Sequence, residues 1–169
     1  IWKAGSAGYE NHPAVIAQGH LDMVCAKEKD CPIDMETEGL SLVVQDGFVS
    51  AEGTTLGGDD GIAVAMALAI LDDDTIPHPP LEAVFTSDEE IGLLGASALD
   101  CSDLQGRMLL NIDSEEEGHL TVGCAGGSRC DMTAQLAGGH GCGAVCTLEL
   151  SGFAGGHSGI EIDKGRANT

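Results

Sequence analysis

Gln18–Val24, QGHLDMV, is the stretch that decides how the rest of the chain is read. The apolar run Ala14-Val15-Ile16-Ala17 leads straight into it. That run is short, partly β-branched and preceded by Pro13, the pattern of a buried strand. Gly19 is expected to end the strand, because glycine lets the backbone turn freely. Side chains two apart on an extended chain share a face, so His20 and Asp22 are expected to point the same way. An imidazole beside a carboxylate is the pairing of a metal ligand with the group that fixes its tautomer. A surface histidine near a solvated aspartate is the plainer alternative. The metal reading gains weight from three further acidic motifs, each just beyond an apolar run or a glycine turn.

The first of these is Gly53–Gly61, GTTLGGDDG, followed by Ile62–Leu71, IAVAMALAIL. The second stretch is rich in Ala and Leu, apolar on nearly every side, and reads as a buried helix. Asp59 and Asp60 then stand at its N-terminus, where one acid suffices for capping and the other is free to project into a site. The second motif follows the strand candidate Leu81–Phe85: Thr86-Ser87-Asp88-Glu89-Glu90, ahead of a helix expected near residues 91–99. These acids can cap that helix. Alternatively, since neighbouring side chains diverge, one glutamate can bind metal while the other reaches an attacking water as general base. The third is Asp113, delivered by the strand Arg107–Ile112 and followed by a run of glutamates that reads as a solvated loop.

The remaining segments carry less chemistry. Leu40–Glu52 reads as a hairpin around Asp46-Gly47, a strong turn signal. Residues 25–40 read as an irregular loop. After Thr121 glycine and cysteine become frequent, and Ser128–Leu136 and Ala144–Leu150 read as strands of a second layer. His157 sits between glycines in SGFAGGHSG, as either a ligand-reaching or an ordinary surface histidine. The strand–loop–helix alternation implies an α/β sandwich, with ligands gathered beyond the carboxyl ends of the strands. Carboxylates plus one imidazole suit zinc, with manganese and cobalt as relatives, and the ligand count suggests two metals sharing one aspartate.

Composition narrows the function classes. The 169 residues carry 28 acidic against 7 basic side chains, a formal charge of −21. Such a balance argues against nucleic acid and against anionic membrane surfaces as partners. Hydrophobic residues make up 43% and aromatics 3%, so Val, Ile, Leu, Met and Ala must fill the core. The seven cysteines are odd in number, form no CxxC pair and follow no secretory signal. They are expected to be mostly reduced and buried in a cytoplasmic protein. A zinc knuckle on Cys142 and Cys146 would match no known ligand spacing. No apolar stretch reaches the ~20 residues of a membrane span.

QGHLDMV, GTTLGGDDGIAVA, TSDEEIGLLGA, NIDSEEEG and GCAGG…GGHSG occur in this order over nearly the whole chain. Together they resemble the aminoacyl-histidine (Xaa-His) dipeptidases of the di-zinc peptidase superfamily, which also holds peptidase T and carboxypeptidase G. The resemblance implies a three-layer α/β/α catalytic domain, incomplete over residues 1–126, and the start of an α+β lid and dimerisation domain over 127–169. It implies His20 as a ligand of one zinc with Asp22 behind it, and Asp59 as the carboxylate bridging both zincs. The peptide bond after that aspartate is often cis in the family. Glu89 would be the general base, Glu90 and Asp113 ligands of one zinc each, and His157 the lid histidine that steadies the oxyanion or the substrate carboxylate. The implied substrates are small dipeptides of the carnosine kind, and the implied assembly a homodimer through the lid. Family members are longer, and their final histidine ligand has no counterpart before Thr169. With Ile1 rather than Met at the start, this implies a fragment that is inactive alone. A deacylase of N-acyl amino acids with the same metal site is the alternative enzyme. An acidic calcium-binding module is the alternative outside catalysis, although no DxDxDG loop is present.

Overall fold

A computed structural model describes residues 1–114, 116–124, 130–135, 143, 146, 147, 149, 151, 152, 154 and 163–165. The chain divides into two compact units, Ile1–Glu117 and Gly118–Thr169. The described residues of the second unit carry no helix or strand. Among them are 130–135, part of the stretch that reads as a strand over Ser128–Leu136; the rest of that stretch, and most of Ala144–Leu150, lies outside the described residues.

The first unit holds β1 (Trp2–Lys3), β2 (Val15–His20), β3 (Leu42–Gln45), β4 (Phe48–Ala51), α1 (Gly58–Asp72), β5 (Leu81–Thr86), α2 (Leu94–Ala98) and β6 (Met108–Asn111). β1, β5, β2 and β6 form one sheet in that order. β5 and β6 run parallel to β2 on either side of it, and β1 is antiparallel on the outer edge of β5. The sheet is therefore mixed. From β2 the chain moves one way to β5 and then back past β2 to β6. A reversal of this kind opens a crevice at the carboxyl ends of the strands, and β2, which ends on His20, lies at its centre.

Gly19 does not end β2. The strand runs on through it to His20. The glycine is needed for space, because a Cβ there would lie 2.6 Å from Ala63 Cβ and 2.7 Å from Asp60 Oδ2. This lets α1 press its Ala63–Ala67 stripe onto β2. The core is correspondingly small-chained: Ala17, Ala67, Leu81 and Ala83, backed by Ile70, Leu71 and Phe85.

α1 is buried on that stripe only. Ile62, Met66 and Leu68 are about half exposed, so the expectation of an all-round buried helix fails. The cysteines also differ from expectation: Cys25, Cys101, Cys124, Cys130 and Cys146 are free and exposed, and Cys31 is free and half-buried. All six stand outside strands and helices, where there is no core to cover them. Cys142 lies outside the described residues. β3 and β4 form the expected hairpin, and both Asp46 (φ 53°) and Gly47 (φ 83°) take the left-handed conformation that a tight two-residue turn requires. The first residues are anchored. β1 pairs with β5, and Lys3 Nζ donates to the Ile70 and Leu71 carbonyls at the C-terminus of α1, where a cation is favourable. No helix among the described residues is long and apolar enough to cross a membrane.

Candidate metal centre

Four segments converge on the carboxyl end of β2. β2 delivers His20, the loop opening α1 brings Asp59 and Asp60, the loop after β5 brings Glu89 and Glu90, and the residues after β6 bring Asp113. Donor atoms of His20, Asp59 and Asp113 all lie within 4.8 Å of one another, as do those of His20, Glu89 and Glu90. The two groups share His20, and Asp59 and Glu90 fall in different ones. His157 lies outside the described residues.

His20 is buried, and both ring nitrogens are engaged. Nδ1 lies 2.8 Å from the Asp22 backbone carbonyl, while the Asp22 carboxylate stands farther off at 3.5 Å. The carbonyl is thus the nearer group that orients the ring. It can only accept, so Nδ1 carries the proton. Nε2 faces Asp59 Oδ1 at 2.9 Å. In the neutral ring this sets one lone pair against another, so a cation is required between them. A proton serves in the metal-free chain, and a metal ion fits the same demand. The Asp22 carboxylate accepts the Glu90 N–H at 3.2 Å and so ties the end of β2 to the Glu89–Glu90 loop.

The two adjacent aspartates divide their tasks, as two acids at one helix start allow. The Asp59–Asp60 peptide is cis, and neither residue is helical in φ and ψ. Asp60 is buried, and its carboxylate accepts the backbone N–H of His20 at 3.3 Å. Asp59 is left to face the histidine. The acids before α2 do not cap it: the helix has five residues, starts after Leu93 in a left-handed conformation and has no side-chain cap.

Crowding of like charges is visible in the proton affinities. Loss of water, then repulsion from Asp59 and Asp60, pushes Asp113 up to about 6. Burial raises Asp60 and, with help from Glu90, Asp59 and Asp22, raises Glu89. For His20, burial opposes the charged ring, but the Asp59 and Asp22 hydrogen bonds and the nearby carboxylates outweigh it and raise the pKa. For Asp22, burial is likewise outweighed, here by the Glu89 and Glu90 amides, which hold it below the usual range. Loss of water is the largest cause of the upward shifts of Asp113, Asp60 and Glu89, with neighbouring carboxylates adding to it, and a divalent ion held here would offset both.

Sequence reasoning missed one buried acid, Glu82, at 5% exposure. Its carboxylate accepts the amides of Gln105 and Gly106. The available signal was a single charge inside LEAVF, a strand buried on both faces.

One imidazole ringed by carboxylates at the edge of an α/β sheet is a set of residues that could hold a metal ion, and comparison with known proteins sets the chain beside peptidases. No protein-family model matches the chain. The cytosol non-specific dipeptidase of Escherichia coli (strain K12) is 43% identical over 176 residues, which takes in 99% of this chain and 35% of that protein. Peptidase T of Escherichia coli O9:H4 (strain HS) is 37% identical over 92 residues, 53% of this chain and 21% of the relative. Among solved structures, aminoacylhistidine dipeptidase from Vibrio alginolyticus matches with a TM-score of 0.67 at 42% identity, over 70% of this chain and 24% of that one. Aminopeptidase PepT from Bacillus cereus ATCC 10987 matches with a TM-score of 0.52 at 28% identity, over 68% and 29%. The chain is a homologue of the dipeptidases and peptidase T, the kinship implied by its motifs, and it spans about a third or less of the length of these relatives.

Proposed function

We propose that this chain carries most of the metal site of a dipeptidase that hydrolyses small peptides, with Xaa-His dipeptides as its substrates. The observation that supports this best is the His20–Asp59–Asp113 group, in which a ring nitrogen and two carboxylates face one another with no built-in cation between them. His20 and Asp113 would hold one zinc, Glu90 would hold a second, and Asp59 would serve both; manganese or cobalt fits the same donors. When bound, such a pair supplies Lewis acidity that polarises the scissile carbonyl and makes water acidic enough to attack near neutral pH. Glu89 takes the proton from the attacking water and returns it to the leaving amine. Its raised proton affinity suits that exchange. Asp22 keeps His20 in the required tautomer through its carbonyl and holds the Glu89–Glu90 loop through its carboxylate. His157 would contact the oxyanion or the substrate carboxylate.

On this reading residues 1–126 belong to a three-layer α/β/α catalytic domain, and 127–169 open a lid through which the full protein dimerises in the cytoplasm. The test is hydrolysis of β-alanyl-histidine, a dipeptide without histidine and an N-acetyl amino acid by the full-length protein, before and after chelation. Metal-dependent turnover fastest on β-alanyl-histidine is expected, with Glu89→Gln lowering kcat by about 10²–10⁴ while metal stays bound. Preference for the N-acetyl amino acid, or activity indifferent to chelation, would overturn the proposal.

A further inference from the structure

We propose that Glu82 is a positioning residue that fixes the register of β6 and thereby sets Asp113 opposite His20; this rests on the reading of Asp113 as a metal ligand. Register is normally enforced by burying one face of a strand, since a one-residue slip turns every side chain over. Within this chain no buried face of β6 enforces it: all four residues are exposed, with Met108, Leu109 and Leu110 each at 50% or more. A slip would displace Asp113 by about 3.3 Å along the strand, enough to take it out of the His20–Asp59 group.

What pins the strand lies just before it. Glu82 Oε1 accepts the Gln105 N–H at 2.9 Å, and Oε2 accepts the Gly106 N–H at 2.8 Å. Only Arg107 separates these amides from β6. Glu82 pairs laterally with Ile16, and Ile16 with Leu109, so the clamp acts across the whole row of parallel strands. The turn it holds lies tight against β2: a Cβ on Gly106 would stand 2.7 Å from Ile16 Cγ1 and 2.9 Å from Glu82 Oε2. At the other end the Asn111 side-chain amide donates to Gln18 Oε1, and the Ile112 N–H donates to the Gln18 carbonyl. With both ends fixed, Asp113 follows two residues beyond Asn111 in one place only. A buried carboxylate is a poor choice for stability, because an apolar side chain would avoid the loss of hydration. A carboxylate is, however, the group that can grip two adjacent amides at once.

The experiment is a mutant cycle in the full chain, reading Zn2+ affinity by competition with a chromophoric chelator and amide exchange at Gln105 and Gly106. Glu82→Ala is expected to speed exchange at both amides and to weaken zinc about 10-fold, the size of an outer-shell effect. It should weaken zinc no further when Asp113→Asn is already present. Glu82→Gln, which keeps one acceptor oxygen, should fall between the two; it carries the same cycle if the alanine variant does not fold. Equal losses of zinc affinity with and without Asp113, or no loss in a chain where Asp113→Asn alone weakens zinc, would overturn this inference alone. Asp113→Asn without effect on zinc would remove the ligand reading and this inference together.

Discussion

Replacing Gly19 by alanine isolates the contact that brings α1 to the centre of the sheet. The new Cβ would stand 2.6 Å from Ala63 Cβ and 2.7 Å from Asp60 Oδ2. Carbon atoms in contact prefer about 3.5–4.0 Å, so α1 must retreat by about 1 Å or the strand must bend. Overpacking of this degree destabilises by about 1–3 kcal/mol. The retreat also stretches the bond from the His20 N–H to Asp60 Oδ2, already 3.3 Å long. Its loss adds about 1 kcal/mol. The sum of about 2–4 kcal/mol is a large part of the 5–15 kcal/mol typical of a folded protein. In urea, with m of about 2 kcal/mol/M, the midpoint should fall by roughly 1–2 M at unchanged m. Adding Ala63→Gly removes the nearer clash while weakening the helix by about 1 kcal/mol. The double variant should therefore be no less stable than Gly19→Ala alone, although Ala63→Gly by itself destabilises. A midpoint shift under about 0.3 M for Gly19→Ala, or simple additivity in the pair, would refute the close-approach argument.

Two further outcomes follow from the same cluster. Asp60→Ala leaves the amide of buried His20 without its acceptor and should destabilise by about 1–3 kcal/mol, with faster hydrogen exchange at His20 as the specific readout. The second concerns pH. In the metal-free protein Asp113 binds its proton more tightly folded, at about 6, than in the unfolded chain near 3.8. Asp60, Glu89 and His20 are shifted in the same upward sense. The folded state then holds extra protons in that window, so stability should fall as pH rises from about 4 to above 6. Asp22, Asp34, Asp73 and Asp100 are lowered instead, and their contribution is lost below about 3.8, outside this window. Thermal melts of chelated protein across that range test the trend. Zinc should invert it, because the ligands must lose their protons to bind; a chelated protein that grows more stable toward neutral pH would contradict the charge crowding.

How much of this was legible from sequence depends on the range of the interaction involved. Ala14–Ala17, Leu81–Phe85 and Arg107–Ile112 read as strands because their apolar character is local, and the acids after them read as candidates because they follow each run. The Asp46-Gly47 turn was legible for the same reason. Gly19 was misread because its role is set by Ala63, more than forty residues away: flexibility is a property of the residue, whereas close approach is a property of the pair. The same holds for Glu82, whose partners at Gln105 and Gly106 come from beyond α2, so a lone acid in a strand carried no hint of what it grips. The exposed face of α1 was misjudged for a related reason, since composition reports that a segment is apolar and is silent on what covers it. Asp22 shows the limit most sharply. Side-chain alternation correctly brought it near His20, yet the nearer contact to the ring is made by the backbone carbonyl, and every residue has one. The motif can therefore indicate that a histidine is held, but the atom that holds it has to be read from the fold.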